Sequence, residues 1–485
     1  MDVRVAQAGE GLRLADAERE LLRARVERAV ARARAERRPV LAALSIAAPA
    51  ELDVSAAILR ARLPDDRFFC LEQPDRGGFA LAGLGQATLV EASGERRFEQ
   101  AAVACRRLAD GALAGEPGAD PDAPAASGPL FVGGFAFAPD GGASPEWRSL
   151  APAQLVLPEL SLTRGNGQAR ATVSVVAQGD EAPDALVERL ERRLASVGPA
   201  AMPLIDPDPV RAPRVAGAAP PEHYEEAVAR AVERIRAGEL EKVVLARRVD
   251  VHAPERIDPS PVFDGLRTGF PACYCYLVGT PQLAFVGASP ELLVRREGAR
   301  AQTVALAGTT RRSADPAVDD HLGERLLQSA KEREEHAIVV RRIEQTLGSA
   351  SLWVAAADDP VLVRVLNVQH LATPIRAQLA EPVPALELAG LLHPTPAVGG
   401  EPRDAALPLI PALEGLDRGW YAGPVGWTDL AEDGEFCVAL RCALLRDSVA
   451  HLYAGDGIVR DSVPAEELAE TEVKLQALLP LLTPG

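Results

Sequence analysis

Apolar and polar positions along the chain follow two periods, and the places where the period changes mark out the predicted elements. Residues 14–37 (LADAERELLRARVERAVARARAER) repeat at helical spacing with mixed charge, the pattern of an amphipathic helix with one solvated face. VLAALSIAAPA, from Val40, is continuously apolar and too short to cross a bilayer. It follows an Arg- and Glu-rich stretch, so it predicts a buried strand and no signal peptide. FALAGLG from Phe79 and LFVGGFAF from Leu130 predict further strands, with the mobile loop GEPGADPDAPAASGP between them. The proline-rich stretch AAMPLIDPDPVRAPRVAGAAPPEHY sets a junction near residue 215, giving an N-terminal region 1–215 and a second region 216–485.

Past the junction, Tyr224, Ala227, Ala231 and Ile235 recur at helical spacing, and Lys242 opens the strand-like run KVVLARRVDV. Three strands follow (ACYCYLVG, LAFVG, ELLVRR), then one long helix from about Asp319 to Leu347, a strand around VQHLATPI and a last helix from Pro464. In that last helix Leu468, Leu475, Leu479 and Leu482 predict the buried stripe, while Glu467, Glu470 and Lys474 share another face. Read as one strand, FCVALRCALL places Phe436, Val438 and Leu440 on one side and Cys437, Ala439 and Arg441 on the other. An arginine in so apolar a run needs a carboxylate, supplied either by the protein or by a ligand.

With 485 residues, 47% of them hydrophobic, the chain has ample material for a large core. A formal charge of -17 excludes non-specific attraction to nucleic acid or an anionic membrane, so an anionic substrate would need local cations or a metal. The six cysteines form no C-x-x-C pair and predict free thiols in a cytoplasmic protein. Of the 52 basic residues only Lys242, Lys331 and Lys474 are lysines. Lysine can give up its proton and act as a base where arginine cannot; survival at a surface is the alternative.

Glu467, Glu470 and Lys474 form either a surface ion pair or part of a site. The KEREEH segment places Glu335 beside His336, and glutamates from two helices suit magnesium (Mg2+). No H-E-x-x-H pattern supports zinc. Glu291, after Ser289-Pro290 in an apolar turn, either carries a raised pKa and donates a proton near neutrality or ends a strand facing water. Gly308 and the Gly455-Asp456-Gly457 turn are open enough for backbone amides to approach an anion.

The ordered strings KVVLARR, GASPELL, ALAGTTRR, KEREEH, HLATP, HPTPAVGG, DRGWYAGPVGW, GEFCVALRCALL, AGDGIV and the closing E-x-x-E-x-x-x-K together resemble the chorismate-utilising enzymes, within them the isochorismate synthases of the menaquinone-pathway type. The resemblance is strong over about 220–480. It implies an α+β fold of large, mostly antiparallel sheets packed as a sandwich with flanking helices, 216–485 being the chorismate-binding catalytic domain and 1–215 completing the sheets. It also implies a Mg2+-dependent addition of water to C2 of chorismate with loss of the C4 hydroxyl. By resemblance Lys242 is the general base, Glu291 the general acid, and Glu335 and Glu470 the metal ligands, with Glu467 acting through water. Arg441, Gly455 and Lys474 match substrate-carboxylate contacts. Gly308, Ala397, Val398, Tyr421 and Leu440 match the pocket around the ring and enolpyruvyl group, with Thr309 and His370 nearby.

Ammonia-using relatives, the anthranilate and aminodeoxychorismate synthases, carry glutamine where Lys242 stands, and the latter a lysine where Ala307 stands. The resemblance therefore implies water as nucleophile and no glutamine amidotransferase subunit, in a monomer or homodimer. Salicylate synthase, which goes on to eliminate pyruvate, is the alternative, and Val398 replaces the leucine common at its site. A catalytically silent chorismate binder is a third reading.

Overall fold

The computed structural model describes residues 11–115, 123–207, 211–365 and 368–483. Part of the predicted loop at 115–129, and residues 208–210 of the proline-rich stretch, lie outside the described residues. Two large sheets, of 12 and 10 strands, make up the frame, and every strand ladder among the described residues is antiparallel. Both sheets cross the 215 junction. Phe68–Gln73 pairs with Tyr274–Gly279 in the larger sheet, and Leu130–Phe135 pairs with Pro424–Asp429 in the smaller.

The sandwich follows from strands that are apolar on both faces. Leu41, Phe69 and Tyr276 join the core between the sheets, together with Phe131, Ile375 and Phe436 of the smaller sheet. Their neighbours Ala42, Cys70 and Leu277 face the other way, against Leu22, Val26 and Phe263 of helices outside the larger sheet. The run from Val40 is the buried strand Val40–Ala48, and the charged N-terminal pattern is the helix Asp16–Glu36, whose Leu22, Val26, Ala29, Val30 and Ala33 are buried. All six cysteines are free and buried.

Three expected elements are corrected. The helix expected over 319–347 is two helices, Pro316–Gln328 and Ala330–Gly348, because Ser329 turns extended (φ -67, ψ 117) and its hydroxyl caps the second helix at Glu332 N. The last helix stops at Leu475. The expected stripe continues into a separate short helix, Leu479–Leu482, whose Pro480 cannot supply the amide a continuous helix needs. FCVALRCALL is two strands, Gly434–Val438 in the smaller sheet and Cys442–Arg446 in the larger, since Arg441 takes a left-handed φ of 46° between them. Arg441 is therefore not in register with Cys437 and Ala439.

Candidate active site

The chain passes twice from one sheet to the other at the same place. Ala284–Ser289 lies in the larger sheet and Leu292–Glu297 in the smaller, so Pro290 and Glu291 form the first crossing. Ala439 to Arg441 form the second. The crossings are stitched together: Val438 N donates to Glu291 O at 3.0 Å and Ala288 N to Arg441 O at 3.2 Å. Beside them opens a cavity.

Glu291 is 3% exposed, and burial pushes its carboxyl up to about 8 against a partial opposing pull from Lys242. Lys242, at the start of the strand Lys242–His252, is 1% exposed, and its Nζ donates to Glu335 Oε1 at 2.7 Å. Gly457 makes room for that pair. A Cβ there would stand 2.4 Å from Glu335 Oε1 and 2.9 Å from Lys242 Cε.

On the opposite wall, Thr309 and His370 face each other across a ladder, with Thr309 Oγ1 and His370 Nδ1 3.1 Å apart. Burial and the charge of Arg441 hold the imidazole pKa well below its usual value, which leaves it neutral and able to meet the Arg441 guanidinium through Nε2. Arg441 is buried, and its Nη1 has no hydrogen-bond partner among the described residues. A buried guanidinium left half-satisfied at a cavity wall is a receptor for a carboxylate.

The remaining polar groups cluster behind Asp456. Carboxylate oxygens of Asp456, Glu467 and Glu470 all lie within 4.8 Å of one another. Lys474 Nζ holds Asp456 at 3.1 Å, Glu470 at 2.9 Å and the Gly455 carbonyl at 3.1 Å. Burial and the neighbouring Glu470 push the Asp456 carboxyl well up, although Lys474 opposes this. Asp456 Oδ2 is buried and has no hydrogen-bond partner among the described residues. An all-oxygen set with an orphaned acceptor fits a hard divalent cation such as Mg2+.

The profile of the family described as chorismate binding enzyme matches residues 28–483. The chain belongs to the chorismate-binding enzymes. A salicylate biosynthesis isochorismate synthase of Pseudomonas aeruginosa is 38% identical over 453 residues, 91% of this chain and 90% of that one. Isochorismate synthase MenF of Bacillus subtilis is 35% identical over 361 residues, 74% of this chain and 75% of that one. The solved structure of MenF, the menaquinone-specific isochorismate synthase from Escherichia coli, matches with a TM-score of 0.77 at 28% identity, over 92% of this chain and 95% of that one. The α+β sandwich expected from the resemblance is thus the fold of the family. No described helix is long and apolar enough to cross a membrane.

Within this chorismate-binding enzyme the cavity is lined by Glu291, Gly308, Thr309, Glu335, His370 and Arg441 on its polar side. Ala397, Val398, Tyr421 and Leu440 form its apolar side, and Gly455, Asp456 and Lys474 close one end. Tyr421 is fixed by stacking on Tyr453 at 5.4 Å. Lys242, Glu467 and Glu470 are not on the wall itself; Lys242 connects through Glu335, the two glutamates through Asp456. His336 turns away to Thr373 at 2.7 Å and joins no carboxylate cluster.

Sequence reasoning passed over three groups. The Gly455-Asp456-Gly457 pattern marks Asp456 only as part of an anion-approach turn, yet Asp456 belongs to the carboxylate cluster and Glu335, a ligand by resemblance, does not. Glu332 accepts from Thr309 N at 3.2 Å, and burial, then Glu335 and Glu470, push it up to about 7. Its signal was available: Glu332-x-x-Glu335 repeats the spacing of Glu467-x-x-Glu470. Arg418 and Glu414 form a buried pair behind the wall. Arg418 donates to Val398 O at 2.8 Å and Val244 O at 2.9 Å, and Glu414 accepts from Ala246 N at 2.7 Å, so the pair fixes two walls of the cavity.

Proposed function

We propose that this chorismate-binding enzyme is an isochorismate synthase, a reading carried by Glu291, whose buried carboxyl keeps its proton near neutrality within electrostatic reach of a buried lysine. Lys242 takes a proton from a water molecule whose oxygen bonds to C2 of chorismate. The ring double bonds shift, and the C4–O bond breaks as Glu291 gives its proton to the departing hydroxyl. One water enters and one leaves, so substrate and product are isomers. Arg441, oriented by His370, receives a substrate carboxylate, and Ala397, Val398, Tyr421 and Leu440 enclose the ring and enolpyruvyl group.

Asp456, Glu467 and Glu470 would hold Mg2+, with Glu335 facing the same end of the cavity. Bound there, the ion supplies positive charge that neutralises and orients a substrate carboxylate. Water as nucleophile removes the need for an amidotransferase partner. The relatives' names share the isochorismate-forming step and differ in the product's destination, and the proposal commits to that shared step.

Purified chain incubated with chorismate and Mg2+, with products separated by chromatography, tests this directly. Isochorismate is the expected product. Salicylate with pyruvate would make the chain a salicylate synthase, and binding without turnover would leave a silent binder.

A further inference from the structure

Of the three lysines, Lys331 has no part in the chemistry above. It occupies the second position of the helix Ala330–Gly348, where the helix dipole disfavours a cation. In a chain that writes almost every cation as arginine, a lysine at a locally unfavourable position calls for a compensating contact. The contact is Glu467, whose Oε1 accepts from Lys331 Nζ at 3.1 Å. The Lys331 side chain is 33% exposed, whereas Glu467 is 4% exposed.

The three clustered carboxylates are thus held by two lysines in different ways. Asp456 and Glu470 share Lys474, which projects from the same helix as Glu470 and is anchored to the Gly455 carbonyl as well. Glu467 depends on an ammonium that reaches across from another helix and is partly in solvent. A compact, hydrated ammonium on a flexible stem is the kind of cation that can let go; a guanidinium fork holds a carboxylate by two bonds.

We propose that Lys331 is a resident counter-ion for the carboxylate cluster. It holds Glu467 while no divalent cation is bound and releases it when one binds, so that ammonium and metal compete for the same carboxylate. This rests on the reading of the cluster as a metal site. Like charges brought to one carboxylate repel, so each cation weakens the hold of the other. Lys331 also limits repulsion among the clustered carboxylates before the metal arrives.

The test uses the full chain without chorismate, titrated with Mn2+ and followed by electron paramagnetic resonance of the free ion. Lys331→Gln removes the competitor and should bind Mn2+ about 5-fold more tightly than the unaltered chain, the scale of one partly exposed ion pair. Lys331→Arg strengthens the competitor and should bind it more weakly. In EDTA, Lys331→Gln should melt below the unaltered chain, and saturating Mg2+ should close that gap. Equal or weaker Mn2+ binding by Lys331→Gln, with the unaltered chain binding normally, overturns the counter-ion role and leaves the metal site standing. If no form binds Mn2+ or Mg2+, the metal reading falls and takes the counter-ion with it.

Discussion

Glu291 lines the cavity and Glu470 stands beside Asp456 in the carboxylate cluster, and the protein moves the two glutamates in opposite directions. Burial raises Glu291 to about 8, since Lys242 acts on it through space and only partly offsets the lost hydration. Burial acts on Glu470 too, but Lys474 at 2.9 Å, together with hydrogen bonds from Asp456 and Thr309, outweighs it and draws the carboxyl below its usual range. Direct hydrogen-bonding partners, a cation first among them, decide between the two. Glu291 therefore keeps its proton near neutrality, and Glu470 keeps its negative charge.

The largest expected effect is at the proposed base and acid. Lys242→Gln should lower kcat by about 10²- to 10⁴-fold while circular dichroism shows an unchanged fold, the range for loss of a general base; near-normal turnover would remove Lys242 from that role. Glu291→Gln should cost a similar factor and also change the pH response. As an acid, Glu291 works while protonated, so kcat/KM of the unaltered enzyme should fall as pH rises past about 8.

Stability follows the same proton. Because folding raises this carboxyl from 4.5 to about 8, its contribution is full below 4.5 and is lost as pH climbs through about 8. The loss is on the order of 1 kcal/mol per pH unit across that window. Glu291→Gln should flatten that part of a Tm-against-pH curve, and an unchanged slope would mean that Glu291 is not the titrating group.

In the carboxylate cluster, Glu470→Gln should weaken Mg2+ dependence about 10- to 100-fold, as removal of groups around a metal commonly does, while moving Tm little. Metal affinity equal to that of the unaltered enzyme would remove Glu470 from the metal site. The smallest effect probes the Lys242–Glu335 contact. Gly457→Ala places a methyl group against Glu335 and Lys242, so it should cost about 1–3 kcal/mol of stability and reduce activity. A crystal structure of the variant with the Lys242–Glu335 contact intact would contradict this.

How much of this could be read beforehand differed by element. Val40–Ala48, Lys242–His252 and Val368–Leu379 were legible because apolar runs bounded by turn residues leave few alternatives. The break at Ser329 was hidden because the apolar spacing continues through it and only a hydroxyl cap marks it. FCVALRCALL was misread for a related reason. Its pattern suits one strand, and the left-handed turn at Arg441 is imposed by the passage between sheets, a tertiary demand that local spacing does not encode. The family motifs led to Glu291, Arg441 and Lys474 by position. Their partners, His370 for Arg441 and Asp456 for Lys474, required the strands to be placed side by side.

The two stitched crossings have a consequence for how such an enzyme can vary. Glu291 and Arg441 are joined main chain to main chain through Ala288 and Val438, so the span between the proposed proton donor and the proposed anion receptor is set by peptide geometry and not by side-chain packing. Exchanging Val398 or Leu440 reshapes the chamber without altering that span, whereas inserting a single residue into either crossing would put both ends of the ruler out of true. Diversity in substrate handling should therefore accumulate in the lining, with the crossings kept at constant length.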